Sequence, residues 1–175
     1  MAAAELLLLR HGIAEARQPG RQDAGRALTE RGLLRSRQVL ERLVAGGLTA
    51  QRLVSSPLTR ARQTAELAVR AGLAPALEFS EALAPGGQPR WLLARWLDGL
   101  TPVGPERPRL LLVGHEPDLG DLAAALLGAP PGSITLRKAG LASLRLAEHD
   151  PAAAGASLRL LLTPRLLLGS RSGSP

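Results

Sequence analysis

The chain has 175 residues, 45% of them hydrophobic and 21% charged, with a formal charge of +7. That length suits one domain with a substantial core, and that mixture excludes disordered and fibrous classes. No apolar run approaches the ~20 residues of a membrane span, and the lack of cysteine excludes disulfides and thiolate metal sites.

These features fit a cytoplasmic protein with no membrane attachment, and Met1 to Glu5 lacks the cationic start of a secretory signal. The charge is uneven: residues 1–70 hold 12 Arg against 6 Asp and Glu, and residues 71–175 hold 10 Lys and Arg against 9. A basic first half favours anionic partners, namely phosphorylated substrates, acidic proteins or nucleic acid. Nucleic acid is the weakest of these, because Phe79, Trp91 and Trp96 are the only aromatic residues and single-strand binding uses stacking platforms.

The first element is the run Leu6-Leu7-Leu8-Leu9, which passes at once into Arg10-His11-Gly12. A run this short does not separate strand from buried helix by periodicity alone, and the glycine stop, with loop-like sequence after it, favours a buried strand. Ligands of open α/β sheets bind beyond the carboxyl ends of the strands, so Arg10 and His11 would stand at the mouth of a site. Gly12 to Leu28 is a polar loop containing Arg17, Arg21, Asp23 and Arg26. Thr29 then caps a helix whose apolar face is read as Leu33, Leu40, Leu43 and Val44, with Ser36 in the gap, and Gly46-Gly47 ends it.

Gln51 to Val54 reads as a second strand, and Ser56 as N-cap with Pro57 at the first helical position marks the next helix. Leu58, Ala61, Ala65, Ala68 and Val69 form its buried face, and Gly72 stops it. Arg60 thereby falls in the first turn, where the helix dipole already favours an anion. Leu77-Glu78-Phe79 suggests a third strand, followed by the loop Glu81 to Gly87 and an amphipathic helix from Pro89 to Leu97 packed through Trp91 and Trp96.

Thr101 to Pro108 is a proline-rich surface connection. Arg109 to Val113 repeats the opening pattern and runs into Gly114-His115-Glu116-Pro117, with a helix from Pro117 to Leu127 stopped by Gly128. Leu141 to Glu148 and Ala156 to Thr163 alternate as an edge hairpin, with His149, Asp150 and Pro151 in its turn. The expected fold is α/β: a three-layer sandwich with a mostly parallel central sheet flanked by helices and a C-terminal antiparallel edge hairpin. Residues 1–168 form a single domain and 169–175 a frayed tail.

If the two histidine-ended strands are parallel neighbours, Arg10, His11, His115 and Arg60 meet at one rim of the sheet. Two imidazoles invite a metal, but no third ligand stands at metal spacing and two guanidiniums repel a divalent cation. A phosphoryl group fits: guanidinium forks bind its oxygens, and histidine is a covalent nucleophile. No cofactor is needed, since phosphoryl transfer rests on positioning and charge stabilisation.

The stretches Leu8 to Gly12, Arg26 to Gly32, Ser55 to Thr64 and Val113 to Pro117, in this order and spacing, resemble the histidine phosphatase superfamily, that of the phosphoglycerate mutases. The short length and the Gly-His-Glu-Pro form look most like phosphohistidine phosphatases of the SixA type. The resemblance implies that His11 becomes phosphorylated, that Arg10 and Arg60 clamp the phosphoryl group, and that His115 bonds to its oxygens. Arg26 would reach the substrate. Many relatives carry a glutamate after the third strand that protonates the leaving oxygen, and here that region offers Glu78 and Glu81 without the fuller motif.

A free imidazole, with a pKa of about 6.5, is a better leaving group than an alkoxide. A phosphohistidine substrate therefore asks less of a general acid than a sugar phosphate does. The expected function is phosphatase activity on a phosphohistidine-bearing signalling protein, with inorganic phosphate as product and no metal. The alternatives are a phosphomonoesterase on a small phosphate ester, with Glu81 or Glu78 as acid, and a non-catalytic module that binds phosphorylated or acidic proteins.

Overall fold

A computed structural model describes residues 4–100, 107–147 and 154–169. The opening run forms β1 (Glu5–Arg10), and Arg109–Gly114 forms β4. They are parallel neighbours in register, from Leu6 beside Leu110 to Arg10 beside Gly114. On the far side of β4 lies β2 (Arg52–Ser55) and then the two-residue β3 (Glu78–Phe79), both parallel to it. On the other side β5 (Leu141–Arg145) runs antiparallel to β1, and β6 (Ser157–Leu162) closes the edge antiparallel to β5. The order β3-β2-β4-β1-β5-β6 is the expected mixed sheet with its edge hairpin.

Helices cover both faces, which is why the central strands are apolar on both faces through their middle residues, 6–9 and 110–113. Leu6, Leu8, Leu110 and Leu112 pack towards α3 (Pro89–Asp98) and α4 (Asp118–Leu127). Leu7, Leu9, Leu111 and Val113 pack towards α1 (Glu30–Ala45) and α2 (Thr59–Ala71). All eight are fully buried, and each contributes about 1.5–3 kcal/mol of transfer free energy relative to exposure. The carboxyl ends of these strands therefore rest on the fully buried core.

Thr29 caps α1 as expected, its hydroxyl accepting from the Gly32 N–H at 2.9 Å. The buried face, however, is Gly32, Ser36, Val39, Leu40 and Leu43, and Leu33 is exposed. Gly32 explains the rotation. A Cβ there would stand 2.0 Å from the Ile13 carbonyl oxygen, so the bare backbone of α1 lies against the loop after β1 and Leu33 turns outward.

Helix α2 begins at Thr59, two residues later than the cap signal predicts, and Leu58 at its N-cap makes no side-chain cap. The Ser56 hydroxyl is engaged elsewhere, as described below. Trp96 is buried as expected, but Trp91 is not a packing residue: it is 53% exposed, with the Arg95 guanidinium 5.4 Å from its ring centre. The loop after β1 contains a short 3-10 turn, Asp23–Gly25, and a bridge between Ala14 and Leu28. A short α5 (Pro164–Leu168), capped by Thr163, follows β6 and has no counterpart in the sequence reading. His149, Asp150, Pro151, the connection 101–106 and the tail 170–175 lie outside the described residues.

Candidate active site

The register of β1 and β4 carries His11 and His115 out of the sheet side by side. The His11 N–H donates to the Gly114 carbonyl at 3.1 Å, and the two rings lie 5.1 Å apart, centre to centre, inclined at 55°. His11 Nδ1 is 2.7 Å from the Gly12 carbonyl oxygen. A carbonyl can only accept, so Nδ1 carries the proton and Nε2 keeps its lone pair. Burial, only partly opposed by the Gly12 hydrogen bond, pushes His11 down to about 3, and His115, Arg60 and Arg10 press in the same direction. The ring is neutral at physiological pH, with a lone pair on Nε2.

Gly12 itself is held from α2. Its N–H donates to Thr64 Oγ1 at 3.1 Å, and Thr64 Oγ1 donates to the Arg60 carbonyl at 2.7 Å. One turn of helix therefore fixes both the carbonyl that orients His11 and the arginine beside it. His115 Nε2 lies 2.8 Å from Ser56 Oγ. Burial and Arg60 push His115 down to about 4, against an opposing pull from Asp23.

Arg60, only 3% exposed, forks onto one residue: Nη1 donates to the Asp23 carbonyl and Nη2 to Asp23 Oδ2, both at 2.9 Å. Arg10 donates from Nη1 to the Leu136 carbonyl at 2.8 Å. Arg10 Nε, Arg60 Nε and His115 Nδ1 are all buried and have no hydrogen-bond partner among the described residues. Since both guanidiniums press electrostatically on both imidazoles, the four expected residues form one cluster at one end of the sheet. Beside it, burial raises the Glu116 carboxyl above its usual range while Arg10 opposes the shift.

The other candidates lie around this cluster, Arg26 near enough to press electrostatically on His115 and Arg60. Arg26 donates from Nε to Asp23 Oδ1 at 2.8 Å and from Nη1 to the Glu15 carbonyl at 2.6 Å, so it braces the loop. Glu81 opens a 3-10 turn beyond β3 and is exposed, on the same end of the sheet as the histidines. Glu78 lies within β3 and is held bidentately by the partly exposed Arg52 at 2.8 and 2.7 Å. The sequence reading did not identify Asp23, whose carboxylate also takes Arg17 Nε at 3.0 Å, or Thr64. The only signals were the Asp23/Arg26 and Arg60/Thr64 spacings. No cluster of three or more metal-ligating side chains occurs among the described residues, nor any helix long and apolar enough to cross a membrane.

Residues 6–84 match the sequence profile of the histidine phosphatase superfamily (branch 1). An uncharacterized protein of Picosynechococcus sp. (strain PCC 7002) is 40% identical over 166 residues, covering 94% of this chain and 99% of that protein. The protein histidine phosphatase SixA, solved with tungstate, superposes with a TM-score of 0.74 at 26% identity, over 93% of this chain and 99% of that one. The mycobacterial glucosyl-3-phosphoglycerate phosphatase gives 0.68 at 22% identity, over 90% of this chain and 98% of that one, a likeness of fold. The mixed sheet, with paired histidines and arginines at the carboxyl end of its parallel strands, is that of a phosphatase. The chain belongs to the histidine phosphatase superfamily, and within it is SixA-like.

Proposed function

We propose that this protein dephosphorylates phosphohistidine on a protein substrate through a covalent intermediate on His11. One observation carries the reading. A neutral imidazole with its Nε2 lone pair unengaged lies in a cluster with buried nitrogen atoms of Arg10, Arg60 and His115 that have no partner among the described residues. That is the complement of a phosphorus atom bearing three charged oxygens.

His11 Nε2 attacks phosphorus in line, forming a P–N bond as the bond to the leaving group breaks. Arg10, Arg60 and His115 take the equatorial oxygens. Because Nδ1 keeps its proton against the Gly12 carbonyl, the phosphorylated ring is cationic. In the second step water attacks phosphorus and His11 departs as neutral imidazole, releasing inorganic phosphate. A substrate imidazole protonated at its other nitrogen leaves in the same way, with no acid required. The role of Arg26 in this reading is to hold the Asp23 loop over the site. Residues 1–168 act as one domain, and the cysteine-free composition suits the cytoplasm.

The test is turnover of a phosphohistidine-bearing protein beside a panel of small phosphate esters, with samples quenched in alkaline denaturant, where the P–N bond survives, probed for phosphoenzyme. The expected result is preference for phosphohistidine and a label on His11 that His11→Ala abolishes. A His11→Ala variant with undiminished turnover would overturn the mechanism, and a label on His11 excludes the non-catalytic module. A phosphomonoesterase is the second reading, favoured by the exposed Glu81 carboxylate in the turn beyond β3.

A further inference from the structure

Ser56 follows β2, is fully buried, and extends the β2–β4 ladder through its N–H to the Val113 carbonyl at 2.9 Å. Its hydroxyl has two neighbours. The Leu58 N–H donates to it at 3.3 Å, and His115 Nε2 lies 2.8 Å away. A serine hydroxyl has one proton to give and two lone pairs to receive with. A backbone N–H can only donate, so Leu58 occupies a lone pair.

The hydroxyl proton has no acceptor other than His115 Nε2 among the described residues. If Nε2–H donated instead, a buried O–H would go unsatisfied, at a cost of about 1–3 kcal/mol. Nε2 therefore accepts. A neutral imidazole carries one N–H, which must then sit on Nδ1, the buried ring atom without a partner.

We propose that Ser56 is a positioning residue: by donating to His115 Nε2 it makes His115 a fixed, neutral Nδ1–H donor towards the transferring phosphoryl group. This rests on reading the cluster as a phosphoryl-transfer site. The two imidazoles then share one tautomer and turn opposite ends to the chemistry. His11 presents a lone pair because a carbonyl holds its N–H, and His115 presents an N–H because a hydroxyl holds its lone pair.

The chain has three histidines, so long-range proton–nitrogen NMR on protein labelled at histidine resolves each ring, and His115→Gln assigns the signal. At neutral pH the wild type is expected to show His115 protonated at Nδ1 and bare at Nε2. Ser56→Ala should release that preference and lower kcat by about 10²-fold, the loss expected for one oriented donor, with weaker vanadate binding. Ser56→Cys, a near-isostere with a weak donor, should fall between the two. A merely structural role for Ser56 would lower the melting temperature and leave the tautomer unchanged.

Wild-type His115 protonated at Nε2 would overturn the proposal without any variant having to fold, as would Ser56→Ala with unchanged tautomer and kcat. Failure of the phosphatase reading would appear separately, as no label on His11 whatever the tautomer of His115.

Discussion

Both terminal nitrogens of Arg60 donate to Asp23, one to its main-chain carbonyl and the other to its carboxylate, at 2.9 Å each. This fork fastens the loop after β1 onto the first turn of α2 and leaves Arg60 Nε as the unpartnered buried atom. Arg26 and Arg17 bond to the same carboxylate, so a single acidic side chain gathers three guanidiniums beside a site built for anions.

Asp23→Ala should therefore leave Arg60 buried with no counter-charge. Removing one partner of a buried pair costs about 3–5 kcal/mol, and because the Asp23 side chain is 35% exposed about 1–3 kcal/mol is expected here. Vanadate or inorganic phosphate should restore part of that loss by supplying an anion to Arg60. The melting temperature of the variant should thus rise more on adding vanadate than that of the wild type. Equal shifts would remove Asp23 from the anion's surroundings.

The pH dependence follows from the two depressed imidazoles, His11 at about 3 and His115 at about 4. Unfolded histidines titrate near 6.5. Between that value and about 4 the unfolded chain binds more protons than the folded one, so stability rises with pH across this interval. Their contribution is complete above about 6.5 and falls away on acidification. Urea midpoints from pH 4.5 to 8 should climb to a plateau near neutrality, and kcat/KM should show no loss of His11 nucleophilicity near 6.5. Protonation of His11 near 6.5, followed by NMR, would contradict the buried, neutral site.

Close packing at two glycines gives unequal expectations. An added Cβ at Gly32 would meet the Ile13 carbonyl oxygen at 2.0 Å, rigid backbone next to the site, whereas at Gly12 it would meet Ser36 Oγ at 2.2 Å, a side-chain atom. Gly32→Ala should cost about 2–3 kcal/mol and disturb turnover. Gly12→Ala should cost less, and Ser36→Ala should recover part of it, because Ser36 Oγ is buried without a partner. Denaturant titration of the three variants checks the ranking.

Glu81→Gln separates the two substrate classes. With a phosphohistidine substrate the leaving imidazole needs no acid, so turnover should change by less than about 3-fold. With a phosphate ester a general acid is worth about 10²–10⁴-fold. A loss of that size, measured on the preferred substrate, would move the assignment to a phosphomonoesterase.

The central strands were legible because a strand covered on both faces is apolar throughout, as Leu6 to Leu9 are, and the caps at Thr29, Gly72 and Gly128 read directly. The positions of Arg10, His11, Arg60 and His115 could be read from motifs, each at the end or start of such an element. What could not be read were relations between distant segments. Ser56 looked like a helix cap because a cap and a histidine partner use the same oxygen, and His115 lies 59 residues away. Asp23 was one charge in a polar loop until the fold set Arg60 against it. The outward turn of Leu33 depends on a carbonyl from another segment, which helical periodicity along α1 does not contain.

Arg10 beside Gly114 in the β1–β4 pairing has a consequence for the life of the molecule. His11 is made early in the chain, but its companion His115 arrives only when a strand from beyond the midpoint docks alongside. A nascent or half-assembled polypeptide thus carries a histidine with ordinary solution chemistry. In the proposed mechanism, the power to take a phosphoryl group would come into being only with the completed sheet.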